Sequence, residues 1–164
     1  MQKTIAAILL LSMMIHQSFA GDKIDKNGSV VLLGKVSKKQ LSNEQKFNWF
    51  LSGIKAYTPK KPVIDSLKSY TDFSIVIVLG TWCSDTKEQL PKMIKVLEAI
   101  NMSEKNLQLI AVGREKKVKK KYARFQAESV PTFFVIRSND IIGKIIEAPA
   151  KSMEEDLLAM LQIK

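Results

Sequence analysis

The chain has 164 residues, of which 46% are hydrophobic, and its formal net charge is +10. This length suffices for one ordinary domain with its own core. Because the sequence has a single cysteine and a single histidine, it excludes an intrachain disulfide and a metal site built from several cysteines or histidines.

The first 20 residues have the pattern of a secretory signal peptide. Lys3 precedes an apolar run over residues 5–15, and small residues stand at Ser18 and Ala20, as a cleavage site requires. The run is shorter than the roughly 20 apolar residues that span a bilayer. We expect cleavage near Gly21 and export, to the periplasm or as a secreted protein. An uncleaved anchor is the alternative.

Cleavage would leave Cys83 as the only thiol and would remove His16, the only imidazole. Catalysis by a Ser-His-Asp or Cys-His arrangement within one chain is then excluded. An unpaired cysteine in an exported protein is a candidate reactive thiol. The alternative is an inert cysteine that packs as a small hydrophobic residue.

Hydrophobic periodicity predicts helices and strands in alternation after a polar start. The predicted helices cover about residues 42–57, 62–69, 84–100, 116–126 and 152–161. The predicted strands cover about residues 29–36, 73–80, 107–113, 132–137 and 141–147, and the last two form a hairpin. This order predicts an α/β fold in which a central mixed sheet is flanked by helices, with an N-terminal helical extension.

Three motifs point to a known family. GTWCSDT, residues 80–86, follows a buried strand and opens a helix, and Pro91 comes eight residues after Cys83. A Val-Pro-Thr segment, residues 130–132, precedes a later strand. Together they resemble the W-C-x-x-C signature, the kink proline and the cis-proline segment of thioredoxins. The sequence is also similar to a group of exported bacterial thioredoxin-like proteins that carry GTWCxDS or GTWCxDT.

The resemblance covers residues 73–161 and implies a thioredoxin-like domain over residues 73–164. Residues 21–72 would be an N-terminal extension packed on this core. The resemblance also implies a substrate groove beside Trp82, in which the backbone of Val130, next to a cis Pro131, pairs with a bound peptide. Protein or small-molecule thiols and disulfides are the expected partners, without a metal or cofactor, and we expect a monomer.

Two departures from the family pattern affect the expected chemistry. Thr86 stands where thioredoxins have their second cysteine, and Ile77 stands where they keep a buried acid. The chain therefore cannot run the ordinary dithiol cycle alone. The remaining hypotheses are a monothiol disulfide reductase or isomerase that acts through Cys83, and a non-catalytic binding or adaptor module. Peroxide reduction ranks lower, because the threonine of peroxiredoxins precedes their cysteine.

Neighbouring residues are expected to modulate the Cys83 thiol. A position in the first turn of a helix favours an anion. We expect the Thr86 hydroxyl to donate a hydrogen bond to the sulfur and Lys87 to add positive charge on the same helix face. Asp85 opposes both effects if its carboxylate faces the sulfur. The alternative is that this carboxylate turns toward the N–H groups of the helix, and the sequence leaves the net direction open.

Charged residues are concentrated in REKKVKKKYAR, residues 114–124, which contains seven basic residues and one acid. We interpret this run as the solvated face of a helix whose inward face is Val118, Tyr122 and Phe125. Export argues against a nucleic-acid role, whereas weak contact with an anionic membrane surface stays open. The acids at residues 154–156 fit the first turn of the last helix, where they suit its dipole.

Overall fold

The computed structural model describes residues 22–25 and 27–163, so the predicted signal peptide lies outside the described residues. The strands are β1 (Asp22–Ile24), β2 (Val30–Leu32), β3 (Gly34–Val36), β4 (Phe73–Leu79), β5 (Leu107–Ala111), β6 (Thr132–Arg137) and β7 (Asp140–Ile146). The helices are α1 (Lys38–Leu41), α2 (Glu44–Ala56), α3 (Lys61–Leu67), α4 (Ser84–Ala99) and α5 (Met153–Gln162), with 3₁₀-helices at Glu104–Asn106 and Lys120–Phe125.

The central sheet has five strands in the order β3-β5-β4-β6-β7. Strands β4 and β5 are parallel, and every other neighbouring pair in the sheet is antiparallel. The predicted α/β fold with a mixed sheet flanked by helices is therefore confirmed. Strands β1 and β2 form a separate antiparallel hairpin.

Alternate residues along each strand point to opposite faces of the sheet, and this divides the interior in two. One face packs against α2, α3, α4 and α5, and its buried sheet residues are Val36, Phe73, Ile75, Ile77, Leu79, Leu109, Ala111, Phe133, Val135 and Ile145. The other face carries Val76, Val78, Ile110, Phe134 and Ile136, and it packs against the segment that joins β5 to β6. Cys83 and Trp82 lie partly buried at the edge of this second cluster.

The helix predicted over residues 116–126 is wrong. Residues 116–119 have no regular structure, and the 3₁₀-helix Lys120–Phe125 follows them. In an α-helix, lysines three and four residues apart would repel one another along its surface. The Gln126 side chain also replaces helical hydrogen bonds, because its Oε1 accepts from the Val118 N–H and its Nε2 donates to the Lys116 carbonyl. The inward positions of Tyr122 and Phe125 are confirmed, since both are buried.

Two boundaries in the N-terminal region also differ from the prediction. The single strand predicted over residues 29–36 is split into β2 and β3, and Gly34 adopts a φ of +90° where β3 begins. Helix α2 starts after Asn43, whose side chain accepts from the Lys46 N–H. Ser42, where the predicted helix begins, is instead the C-cap residue of α1. The helix predicted over residues 42–57 thus corresponds to α2 alone, and α1 precedes it.

The N-terminal extension packs tightly on the core. Phe47 and Phe50 of α2 are buried in the cluster that includes α4. Helix α4 contains Pro91, and a Cβ atom added at Gly53 would lie 2.7 Å from the Pro91 Cβ and 2.8 Å from its Cγ. Only glycine therefore fits at this crossing of α2 and α4 without a shift of the backbone.

Replacing Gly53 with alanine should destabilise the protein by about 1–3 kcal/mol, because the rigid Pro91 ring leaves no space for the new methyl group. This sign is opposite to the gain of roughly 1 kcal/mol that alanine brings over glycine in an open helix. Urea unfolding measures the difference. The exposed neighbour Ser52→Ala is the control, with an expected effect within about 0.5 kcal/mol. A Gly53→Ala protein that is more stable than the wild type would contradict this packing.

A buried carboxylate joins α5 to the segment between α2 and α3. Only 1% of the Glu154 surface is exposed, and its side chain accepts hydrogen bonds from the Tyr57 hydroxyl at 2.6 Å and from the Lys60 N–H at 3.0 Å. Burial raises the pKa of Glu154, but these hydrogen bonds outweigh that effect and hold the pKa below its ordinary value. Glu154 therefore does more than complement the helix dipole.

Candidate functional site

Cys83 lies where the sequence predicts it, directly before the first turn of α4. A turn follows β4, in which the Cys83 N–H donates to the Gly80 carbonyl at 2.9 Å. Cys83 is the N-cap residue of α4, with extended backbone angles, and its side chain is partly exposed. The thiol is thus accessible rather than enclosed in the core.

The sulfur of Cys83 faces two oxygen atoms. Its Sγ lies 3.1 Å from the Val130 carbonyl oxygen, to which the thiol donates, and 4.0 Å from Oδ2 of Asp85. The side chain makes no capping hydrogen bond with the N–H groups of α4. Both oxygens accept from a thiol and would repel a thiolate, so they oppose the effect of the helix N-terminus.

Thr86 has a different role from the one expected. Its side chain is fully buried, and its Oγ1 accepts from the Gly80 N–H at 3.3 Å. Within residues 22–25 and 27–163, no hydrogen bond joins this hydroxyl to the Cys83 sulfur. The structural reason is that Thr86 faces back under the turn that carries Cys83. Thr86 therefore supports the shape of the turn.

The two charged residues beside Cys83 differ in exposure. Asp85 is exposed in the first turn of α4, and its carboxylate is the charged group near the sulfur. Lys87 is half-buried, and it forms no ion pair with any acid in the described part of the chain. The expectation that Asp85 opposes a thiolate fits this geometry.

Replacing Asp85 with asparagine should speed alkylation of Cys83 by iodoacetamide at neutral pH by about three- to tenfold, because a negative charge near the sulfur is removed. Iodoacetamide is uncharged, so the rate reports the thiol alone. Glu88→Gln is the matched control, since Glu88 is exposed one turn further along α4 and pairs with Lys92. An unchanged or slower rate in Asp85→Asn would show that this carboxylate does not act on the sulfur.

The Val130–Pro131 peptide bond is cis, as the resemblance implies. Both residues are buried directly before β6, and the Pro131 carbonyl accepts from the Glu147 N–H at 2.7 Å. Among the described residues, the Val130 N–H donates to no other group. The Val130 N–H is therefore a donor without a partner among these residues. It belongs to the same residue as the carbonyl that accepts from the Cys83 thiol.

Trp82 is half-buried, and two contacts hold its side chain in place. Its Nε1 donates to the Val112 carbonyl at 3.0 Å, and the Arg114 guanidinium lies 5.0 Å from the centre of its ring. Arg114 in turn donates two hydrogen bonds to Oδ2 of Asp25, at 2.6 and 3.0 Å. Gly80 is required beneath the ring, because a Cβ atom there would lie 2.7 Å from it.

Thr81 connects the N-terminal hairpin to the turn before Cys83, and sequence reasoning missed it. Its hydroxyl donates to the Val30 carbonyl at 2.7 Å and accepts from the Leu32 N–H at 3.2 Å. The sequence also did not predict the hydrogen bonds between Asp25 and Arg114. No local signal marks these contacts, because the partners lie at least 49 residues apart in the chain.

Over residues 22–25 and 27–163, no helix is long and apolar enough to cross a membrane. The same residues contain no group of three or more His, Cys, Asp or Glu side chains placed to hold a metal ion.

Comparison with known proteins gives structural neighbours only. No family model matches the chain, and no curated protein matches it. A protein of unknown function from Pseudomonas aeruginosa is similar in structure, with a TM-score of 0.54 and 14% identity. An HIV epitope scaffold is also similar, with a TM-score of 0.55 and 14% identity. Each comparison covers 74% of this chain and 86% of the other. The likeness shows a shared fold.

Proposed function

We propose that this protein has a thioredoxin-like fold and carries out thiol–disulfide exchange as a monothiol reductase or isomerase through Cys83. The observation that carries the proposal is the 3.1 Å contact between the Cys83 sulfur and the Val130 carbonyl oxygen. It brings together two motifs that lie 47 residues apart in the sequence. These are two of the three motifs on which the resemblance to thioredoxins is based.

The order of elements supports the fold assignment. Strand β4, helix α4 and strand β5 are followed by the β6–β7 hairpin and helix α5. Cys83 lies at the junction of β4 and α4, and Val130 lies just before β6. In thioredoxin relatives, the backbone at this second position pairs with the substrate peptide.

The exchange step needs only one thiol on the protein. The Cys83 thiolate attacks one sulfur of a substrate disulfide, a new S–S bond forms, and the other sulfur leaves as a thiolate that takes up a proton. Thr86 stands where thioredoxins have their second cysteine, and it has a hydroxyl instead of the thiol that would attack this mixed disulfide. An external thiol, or a second thiol of the substrate, must attack the substrate sulfur of this mixed disulfide, so that a new S–S bond forms on the substrate and Cys83 leaves as the thiolate. Reduction of one disulfide therefore oxidises two external thiols, whereas isomerisation has no net electron transfer.

Substrate binding would change the surroundings of the sulfur. A peptide strand that pairs with Val130 would donate its own N–H to the carbonyl that the thiol now uses, and its carbonyl would accept from the free Val130 N–H. Loss of this contact would leave the sulfur without its hydrogen bond to the Val130 carbonyl and next to the substrate. Trp82 and Pro131 would border this groove. The proposal places the reaction outside the cytoplasm, in accordance with the predicted export.

The reaction of Cys83 with oxidised glutathione tests the proposal, with the mixed disulfide followed by mass spectrometry. We expect the folded protein to form the adduct faster than the same protein unfolded in urea at the same pH, and Cys83→Ser to form none. The unfolded protein is the appropriate reference because it has the same local sequence. A folded rate no faster than the unfolded rate would contradict an exchange function.

A non-catalytic binding module is the second candidate. The observation in its favour is that the Cys83 thiol donates to a carbonyl and faces the Asp85 carboxylate, an arrangement that stabilises the uncharged thiol. The two candidates differ in their dependence on the sulfur. Partners retained equally by the wild type and by Cys83→Ser would favour the binding module, whereas adducts that require Cys83 would favour exchange.

A further inference from the structure

We propose that the segment from Arg114 to Arg124, here called the basic segment, binds the surface of an anionic phospholipid membrane. This surface is separate from the proposed exchange chemistry and does not depend on it. The segment joins β5 to β6 and covers one face of the sheet, so it is fixed to the core through Tyr122 and Phe125.

The basic segment needs an explanation because it is not the face of an amphipathic helix. On a helix, exposed lysines are an ordinary solvated surface. Here residues 116–119 are irregular, and Lys116 has a φ of +53°, in the left-handed region. The Lys116 carbonyl accepts from Gln126 Nε2 at 2.9 Å, and its Nζ donates to the Glu128 carbonyl at 2.7 Å. The lysines are thus presented by a fixed loop.

Most of the charge in the basic segment is not neutralised. Within the described residues, Arg114 is the one cation of the segment that pairs with a carboxylate, that of Asp25. Lys117, Lys119 and Lys120 are exposed and have no hydrogen-bonding or ion-pair partner there. Elsewhere lysines do have acidic partners, as in the pairs Lys38–Glu98, Lys60–Glu155, Lys61–Asp65 and Lys92–Glu88. Among the described residues, six of the seven cations of the basic segment therefore lack a carboxylate partner, within a stretch of eleven residues.

The composition of this surface favours lipid phosphates over nucleic acid. Sites for single-stranded nucleic acid combine basic groups with exposed aromatic rings on which bases stack. In this region, Tyr122 and Phe125 are buried, and Arg114 lies over the ring of Trp82. Lysine is a compact point charge that suits diffuse attraction to a charged surface, whereas arginine suits bidentate recognition. An array of exposed lysines without exposed rings matches a negatively charged bilayer surface.

An exposed apolar side chain lies near the basic segment. Ile24 in β1 is 77% exposed, and the neighbouring Asp25 is held to Arg114 by two hydrogen bonds. Apolar side chains next to basic ones are typical of surfaces that enter the boundary between headgroups and acyl chains. Ile24 therefore adds a small apolar contact to the electrostatic attraction.

Co-sedimentation of the full chain with lipid vesicles tests the proposal. The probes are vesicles of phosphatidylglycerol in phosphatidylcholine, and vesicles of phosphatidylcholine alone, which report any binding through the apolar N-terminal residues. One variant combines Lys117→Gln, Lys119→Gln and Lys120→Gln. The matched control combines Lys39→Gln, Lys55→Gln and Lys105→Gln, which are also exposed and remove the same charge.

We expect the segment variant to lose about tenfold or more of its partition onto anionic vesicles at low salt. The control variant should keep nearly all of it, and high salt should remove the difference between the variants. Equal losses in both variants would show attraction by net charge alone and would overturn the proposal. Absence of binding that depends on phosphatidylglycerol, or equally tight binding to an oligonucleotide or to polyglutamate, would overturn it as well.

Discussion

Replacing Glu154 with alanine should lower the free energy of unfolding by about 2–4 kcal/mol, because the Tyr57 hydroxyl and the Lys60 N–H lose a charged acceptor. Urea unfolding at neutral pH measures this effect. The matched control is Glu155→Gln, since Glu155 is the next residue and pairs with the same lysine through its side chain. This pair is partly exposed, so the control should change stability by at most about 1 kcal/mol. Similar effects of the two substitutions would contradict a special role for the buried carboxylate.

The same carboxylate predicts a dependence on pH. Because the pKa of Glu154 is lower in the folded state than its ordinary value of 4.5, its contribution is fully present above that value. The contribution is lost as the pH falls through the folded pKa, where the carboxylate takes up a proton. The difference in stability between the wild type and Glu154→Gln should therefore shrink below about pH 4.5. A difference that stays constant between neutral and acidic pH would show that the charge is not important.

Replacing Thr86 with cysteine should turn the proposed monothiol site into a dithiol site. Cys83 is the N-cap residue of α4 and position 86 is three residues further on, the spacing at which side chains on a helix are neighbours. Attack within the chain has a large advantage over attack by an external thiol, so release of glutathione from the mixed disulfide should be at least about a hundredfold faster. Stopped-flow measurement of glutathione release from the preformed adduct gives this rate.

Two controls make the dithiol experiment specific. Ser84→Cys also adds one thiol, but neighbouring residues on a helix do not face each other, so release should stay close to the wild-type rate. Thr86→Ser keeps a hydroxyl near Gly80 and should leave release unchanged. A Thr86→Cys protein that releases glutathione no faster than Ser84→Cys would show that the turn does not have the geometry of a dithiol site.

Local patterns predicted the elements that depend on local sequence. The continuous apolar runs predicted β4 and β5. Alternating apolar and polar residues on both sides of a turn predicted the β6–β7 hairpin. The position of Cys83 at the start of α4 could be predicted because a buried strand, a short turn and an apolar helical stripe follow one another. These features need only hydrophobic burial and the two backbone periodicities.

Contacts between distant segments could not be predicted from local patterns. The hydrogen bond between Thr86 and the Gly80 N–H depends on the path of the turn at Gly80. The hydrogen bonds of Glu154 with Tyr57 and Lys60 depend on where α2 ends. For the basic segment, the spacing of apolar residues predicted an α-helix. Repulsion between lysines and the hydrogen bonds of the Gln126 side chain favour the irregular stretch and the 3₁₀-helix found there. Periodicity correctly identified which residues point inward, because Tyr122 and Phe125 are buried in either conformation.

The hydrogen bond between Cys83 and Val130 has a consequence for any form of the protein in which the sulfur is occupied. A sulfur that carries glutathione or an alkyl group has no proton to donate, so the loop before β6 loses this hydrogen bond to the residue that begins α4. Amide hydrogen exchange in the loop before β6 would then be faster in the conjugated protein than in the free thiol. The exchange rate of backbone amides 47 residues away in the sequence would thus report whether the Cys83 sulfur is modified.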